Sequence, residues 1–169
     1  MIDIQDNFLS IKEFEQTHSS LLQWNFPWFT SKVVEDTEQN ELHNMQFMHM
    51  FYERHAPVDD TIQVLQHCLQ RIQPIAIFKI KANLMPCQNK VVEHGLHIDV
   101  TDAETNKIGH LMKTSILYMN TNDGYTKFED GTKVESVANR MVTFPNSMKH
   151  TGTTTSNSEY RLVINFNYV

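Results

Sequence analysis

The run Arg161-Leu-Val-Ile-Asn-Phe-Asn-Tyr168 alternates with a period of two. Successive side chains of an extended chain point to opposite faces. Leu162, Ile164, Phe166 and Tyr168 therefore make one apolar face, which must be covered. Arg161, Val163, Asn165 and Asn167 make the other, which suits a wet pocket as well as plain solvent. Ile75-Ala-Ile-Phe-Lys-Ile-Lys-Ala-Asn83 alternates too, with Ile77, Lys79, Lys81 and Asn83 opposite Ala76, Phe78, Ile80 and Ala82. Lys79, Lys81 and Asn83 share a face that could touch a substrate, and a solvated face is the safer reading. Further β-like runs lie at Ser115–Tyr118 and Met141–Phe144, with turn signals at Asp123-Gly124 and Asp130-Gly131. Many short strands joined by short turns read best as a double-stranded β-helix, the jelly-roll arrangement also used by cupins.

Helical signals come before residue 75. Ser10-Ile-Lys-Glu13 is a capping box, and a short helix is expected to about Leu22. Asp59 and Asp60 open a second helix with Ile62, Leu65, Leu69 and Ile72 in one stripe, ended by Pro74. Gln46–Tyr52 reads as a strand with His49 packed in the core. The aromatics Trp24 to Phe29 are expected against the main sheet, and Val34 to Leu42 reads as a solvated acidic loop. Helices first and strands later make an α+β protein. The expectation is one domain over residues 1–169, with a helical support (1–74) and a β-helix core (75–169).

The net charge of -6 argues against bulk binding of nucleic acid or anionic membranes. Neither a signal peptide nor an apolar run of membrane length is readable. Cys68 and Cys87 are expected to be packing residues, and two cysteines fit a reducing cytoplasm.

Chemistry concentrates between His94 and Tyr168. His97 and Asp99 stand two apart, so both project from the same strand face, about 7 Å apart along the chain. Alone, such a pair is more readily an ordinary strand-end pair. His150 is the candidate third ligand, and two imidazoles with one carboxylate suit non-haem iron(II). Gly152-Thr-Thr-Thr-Ser-Asn157 is turn-like. A hairpin closing about Thr155-Ser156 would put Arg161 directly opposite His150, where its guanidinium could hold a carboxylate in bidentate fashion.

His97-x-Asp99, His150 and, ten residues further on, Arg161 resemble the pattern of the 2-oxoglutarate- and Fe(II)-dependent dioxygenases. Ser115-Ile-Leu-Tyr118-Met-Asn120 and Asp123-Gly-Tyr-Thr126-Lys-Phe128 resemble elements of the prolyl-hydroxylase-like branch. Asp123 stands where that branch has its first Gly, which puts the neighbouring substrate loop in doubt. The compact form resembles members encoded by bacteriophages, implying the host cytoplasm. The resemblance implies that His97, Asp99 and His150 bind Fe(II). It implies that 2-oxoglutarate chelates the metal, with its far carboxylate on Arg161 and Tyr118 and with Thr126 bordering the pocket. Dioxygen is then the oxidant and ascorbate a reductant. The products are succinate, CO2 and a hydroxylated substrate, a peptidyl residue (proline first) or a small molecule. A cupin-like metal- or small-molecule-binding protein without oxygenase activity is the alternative, and a metal-dependent hydrolase, with Glu93 as its base, is a third reading. His94 is expected in a supporting layer or at the surface, His110 in solvent, and Asn139-Arg140 in a structural turn. Oligomeric state is not legible.

Overall fold

A computed structural model describes residues 1–33, 44–101 and 108–169 of the chain. The elements are β1 (Asp3–Gln5), α1 (Ile11–Leu21), β2 (Phe29–Lys32), β3 (Met45–Glu53), β4 (Ala56–Pro57), α2 (Gln66–Ile72) and β5 (Ile77–Pro86). After them come β6 (Lys113–Tyr118), β7 (Tyr125–Phe128), β8 (Lys133–Glu135), β9 (Arg140–Pro145), β10 (His150–Gly152) and β11 (Tyr160–Tyr168). The large sheet has the order β1-β9-β6-β11-β5-β3-β2, with β4 on β3, and the small one the order β10-β7-β8. Isolated backbone bridges, Glu93–Thr153 and His97–His150, tie the segment around residues 93–97 to β10 and the residue after it. Among the described residues no helix is long and apolar enough to cross a membrane.

The two faces of β11 serve two layers. Leu162, Ile164 and Phe166 pack with Ile80, Ala82, Leu117 and Phe51 beneath Leu21, Leu65 and Cys68 of the helical layer. Each such side chain contributes about 1.5–3 kcal/mol on burial. Val163 turns the other way, joining Ile116, Tyr118, Val142 and Phe144 against Phe128 and Val134 of the small sheet. This is the α+β double-stranded β-helix expected from the alternation.

The capping box at Ser10 forms, with Ser10 N–H donating to Glu13 Oε2 at 2.9 Å. Asp59 caps a 3-10 segment (Asp60–Leu65) that runs into α2, so the second helix begins more tightly wound than its stripe suggested. It ends at Gln73, left-handed at φ 50°, with Pro74 after it. His49 is a core residue, bonded to Pro27 O and Thr61 Oγ1 and edge-on to Phe26 and Phe51. The aromatics of residues 24–29 divide: Phe26 and Trp28 pack against the core, whereas Trp24 and Phe29 are exposed. Asn139, at φ 63°, exchanges hydrogen bonds with both backbone groups of Leu9, and Arg140 pairs with Asp6, so that turn is structural. Cys68 is buried but Cys87 is exposed, contrary to the packing role expected of both. The acidic loop expected at Val34 to Leu42 lies outside the described residues.

The hairpin about Thr155-Ser156 does not form. β10 pairs with β7, and β11 runs between β5 and β6. Asp123 is the physical reason. Its carboxylate accepts hydrogen bonds from the Thr155 hydroxyl (2.7 Å), from Ser156 N–H (2.8 Å) and from the Ser156 hydroxyl. Its N–H donates to Asn157 Oδ1 at 2.9 Å. The threonine-rich segment is thereby fastened to the β6–β7 loop while the chain crosses from the small sheet to the large one.

Candidate metal centre

His97 and His150 face each other through a reciprocal pair of backbone hydrogen bonds of 2.9 and 3.0 Å, with ring centroids 4.9 Å apart. Asp99 Oδ1 lies 3.5 Å from His97 Nε2 and 3.8 Å from His150 Nε2. The three donor atoms fall within 4.8 Å of one another, a spacing one ion can bridge. Both imidazoles are oriented from behind. His97 Nδ1 faces Gly95 O at 3.1 Å and His150 Nδ1 faces Met148 O at 3.3 Å. A carbonyl at Nδ1 keeps the proton there and leaves the Nε2 lone pair for a metal. The other oxygen of Asp99 accepts from the amides of Asn165 (3.3 Å) and Asn167 (3.2 Å) on β11.

Electrostatics follow from this packing. Burial favours the neutral acid of Asp99, but His97, His150 and Lys79 outweigh it and hold the carboxyl well below its ordinary range. Burial also works against a charged His97, yet Asp99 beside it raises the imidazole above its usual value. His150 is buried, with Phe144 edge-on at 4.7 Å, and its pKa is lowered by that burial. The result is an ionised carboxylate between two imidazoles, of which His97 holds a proton more tightly than usual and His150 less tightly.

The cluster opens into a cleft between β5, β11 and the small sheet. Arg161 lines the same cleft, although it reaches it by another route than the expected hairpin. It is 2% exposed. Nε donates to Ser136 Oγ at 2.9 Å and Nη2 to Thr126 Oγ1 at 3.4 Å, while the guanidinium sits 5.6 Å over the Tyr118 ring. A guanidinium has five N–H donors. Among the described residues three of them have no partner, and no carboxylate pairs with the charge. Burial alone accordingly pushes its pKa down.

Tyr118 is fully buried and gives its hydroxyl to Thr126 Oγ1 at 2.8 Å, so Thr126 rather than Tyr118 faces the cleft. With Tyr118 and Arg161 both donating to it, the Thr126 hydroxyl has its own proton left to give.

Several contacts were not legible in the sequence, even at residues that stand in its motifs. Asn120 accepts from Leu162 N–H at 3.0 Å and donates to Tyr160 O at 2.7 Å, bracketing Arg161 on both sides. A Cβ on Gly124 would lie 2.6 Å from Arg161 Cδ, so only glycine admits the arginine stem. Asn165 and Asn167 were visible as polar positions in phase with Arg161, but their partner was not. Lys79, Lys81 and Asn83 line the cleft rather than a solvated face, because β5 sits directly beside β11. His94 is buried and lines the cleft outside the three-donor cluster; His110 is exposed. Glu93 takes hydrogen bonds from Lys127 and Tyr125, which hold its carboxyl low and make it a weak base.

No family model and no curated protein matches the sequence. Solved structures do match. A Trichoplax adhaerens prolyl hydroxylase in complex with a hypoxia-inducible-factor peptide superposes with a TM-score of 0.67 at 14% identity, over 99% of this chain and 82% of that one. The non-haem alpha-ketoglutarate-dependent epimerase SnoN gives 0.67 at 15%, over 99% and 77%. A Pseudomonas putida prolyl-4-hydroxylase gives 0.59 at 14%, over 99% and 91%. The chain therefore has the fold of the 2-oxoglutarate- and Fe(II)-dependent oxygenases, prolyl hydroxylases among them.

Proposed function

We propose that the protein is an Fe(II)- and 2-oxoglutarate-dependent dioxygenase that hydroxylates an unactivated C–H bond, most simply in a peptidyl residue with proline first. The observation that carries this reading is Arg161. A buried guanidinium with no carboxylate partner costs several kcal/mol unless an anion completes it. Its position in one cleft with a two-histidine, one-carboxylate cluster calls for a ligand that is anionic at one end and metal-chelating at the other. A cupin-like binding protein gives no reason to maintain that charge, and Glu93, held by Lys127 and Tyr125, is poorly placed to serve a hydrolase as its base.

The residues fit both groups. His97 Nε2, Asp99 Oδ1 and His150 Nε2 would hold the iron, leaving its remaining positions toward the cleft. Arg161 and the Thr126 hydroxyl would hold the far carboxylate of 2-oxoglutarate, Arg161 through paired charge-assisted hydrogen bonds. When bound, iron and 2-oxoglutarate supply dioxygen activation, giving succinate, CO2 and a hydroxylated product. The protein's own part is orientation and exclusion. Asn165 and Asn167 keep Asp99 aimed, Tyr118 turns the Thr126 hydroxyl, and Phe128 and Phe144 shield His150 from water. A peptide substrate is supported by the solved prolyl hydroxylases of the same fold, one of them in complex with a peptide.

Asp99→Ala tests the ligand set. Succinate formation from 2-oxoglutarate in the presence of iron and oxygen should fall to background, while the far-ultraviolet spectrum stays that of the wild type. Retained succinate formation would sink the assignment.

A further inference from the structure

We infer that the cleft contains a second oxyanion position, at Lys81, which receives a carboxylate or phosphate carried by the substrate. The inference rests on the proposed function for the word substrate, but its physical basis is independent of it. The charged side chains lining the cleft, among the described residues, are Lys79, Lys81, Arg161 and Asp99. Three cations against one carboxylate leave a formal excess of two positive charges. Ferrous iron and doubly ionised 2-oxoglutarate cancel each other, so loading the site would leave that excess in place.

The three cations are differently committed. Arg161 is completed by the co-substrate under the proposed function. Lys79 Nζ donates to the backbone carbonyl of Asp99 at 2.6 Å and thereby anchors the metal-binding segment to β5. Lys81 has no hydrogen bond or ion pair among the described residues, although its burial pulls the ammonium pKa down. Lys81 pairs with Asn165 across β5 and β11, and Met85 pairs with Arg161. Four strand positions therefore separate the two residues along the sheet, about 13 Å of backbone at the rise of an antiparallel strand.

The surroundings of Lys81 are polar as well as cationic. Asn83, two residues along the same face, lines the cleft at 7% exposure, and its amide oxygen has no partner among the described residues. Asn165, directly opposite Lys81, is also in the cleft and is held on Asp99. A neutral apolar ring alone would leave the ammonium without a partner, whereas an oxyanion completes it; the Asn83 oxygen calls for a donor instead. The substrate thus brings its own negative charge to the Asp99 side of the metal. A free acid or a peptide whose carboxylate neighbours the oxidised carbon fits, and an uncharged, end-blocked peptide does not.

The test uses the intact protein loaded with Zn²⁺, which is redox-inert, and 2-oxoglutarate. Acetate, inorganic phosphate and acetamide are then titrated while backbone amide resonances are followed by ¹H–¹⁵N NMR. Acetate or phosphate should shift the amides of Lys81 and Asn165 with an apparent affinity about tenfold above that of acetamide. Lys81→Met and Lys81→Gln, each checked for native dispersion of the spectrum, should abolish the difference while retaining 2-oxoglutarate. Preference for phosphate over acetate would assign the position to a phosphorylated substrate. Equal responses to all three probes, or an unchanged preference in both variants, would overturn the proposal. Loss of 2-oxoglutarate affinity in both variants would overturn it too, by giving Lys81 to the co-substrate. Failure of the protein to take up 2-oxoglutarate at all would count against the proposed function instead, and the anion titration without it would still report on Lys81.

Discussion

Arg161→Met separates a receptor for an anion from a structural arginine. In the unliganded protein the substitution removes a buried charge that no carboxylate compensates. Replacing buried charge with an apolar side chain of similar volume is often neutral or stabilising by about 1–4 kcal/mol. Against this stand the hydrogen bond to Ser136 Oγ and the longer one to Thr126, about 1 kcal/mol each. The contact with the Tyr118 ring adds about 1 kcal/mol. The net change in folding free energy should therefore lie within about 2 kcal/mol of zero. Binding of 2-oxoglutarate should suffer heavily. Two hydrogen bonds to a charged group are worth about 3–6 kcal/mol together, a loss of at least about a hundredfold in affinity. Urea denaturation of the metal-free variant gives the first quantity, and anaerobic titration of its iron complex gives the second. A folding loss above about 3 kcal/mol would refute the reasoning, as would a change in 2-oxoglutarate affinity below tenfold, since either would make Arg161 a structural residue.

Three further outcomes follow from the geometry. Gly124→Ala puts a methyl group 2.6 Å from Arg161 Cδ and 2.8 Å from Thr154 O. It should cost about 1–3 kcal/mol in urea denaturation and weaken 2-oxoglutarate binding by displacing the arginine; wild-type values in both assays would contradict the close approach. His97 binds its proton more tightly than usual because of Asp99, so a metal must expel that proton below the raised pKa. Fe²⁺ affinity should be level at higher pH and fall about tenfold per unit once pH drops below that pKa, with the fall beginning above pH 6.5; a competition titration giving one affinity from pH 8 to 6 would contradict this. Cys68 is buried and its thiol is pushed up to about 12, whereas Cys87 is exposed. A disulfide-exchange reagent should modify one thiol in the native protein and a second only after unfolding, and two fast-reacting thiols would show that the Cys68 packing opens readily.

The alternation in β11 was enough to find the two layers, because a period of two with one apolar face has few ways to be buried. Capping chemistry at Ser10 and Asp59 was equally local and equally legible. The three-donor cluster was legible for a different reason: His97 and Asp99 are only two residues apart, so their proximity is written in their spacing, although His97 makes an isolated bridge and Asp99 lies in a bend rather than on the one strand expected. What brings His150 and Arg161 to that pair was misread. A turn-rich run between two β-like segments ordinarily predicts a hairpin, but Asp123, thirty-two residues before Thr155, fastens the run to another loop. Asp123 departs from the glycine of the resembled pattern, and its length and charge make the tie. The preference for a solvated face over substrate contact at Lys79, Lys81 and Asn83 has the same origin. Lys79 and Lys81 alternate as solvated residues would, and only the adjacency of β5 to β11 turns their face into the cleft wall. The support of Asp99 by Asn165 and Asn167 was half visible, as polar residues in phase with Arg161. Side-chain hydrogen bonds across 66 and 68 positions leave no mark in either local sequence.

The most direct measurement is an anaerobic titration of the metal-free protein with Fe²⁺ followed by 2-oxoglutarate, recorded in the visible. If His97, Asp99 and His150 hold iron beside Arg161 as proposed, a weak metal-to-ligand charge-transfer band appears only when both are present. It should saturate at one iron per chain, and be missing in Asp99→Ala. Iron uptake with no band at saturating 2-oxoglutarate would contradict the account and favour a metal-binding protein of the same fold.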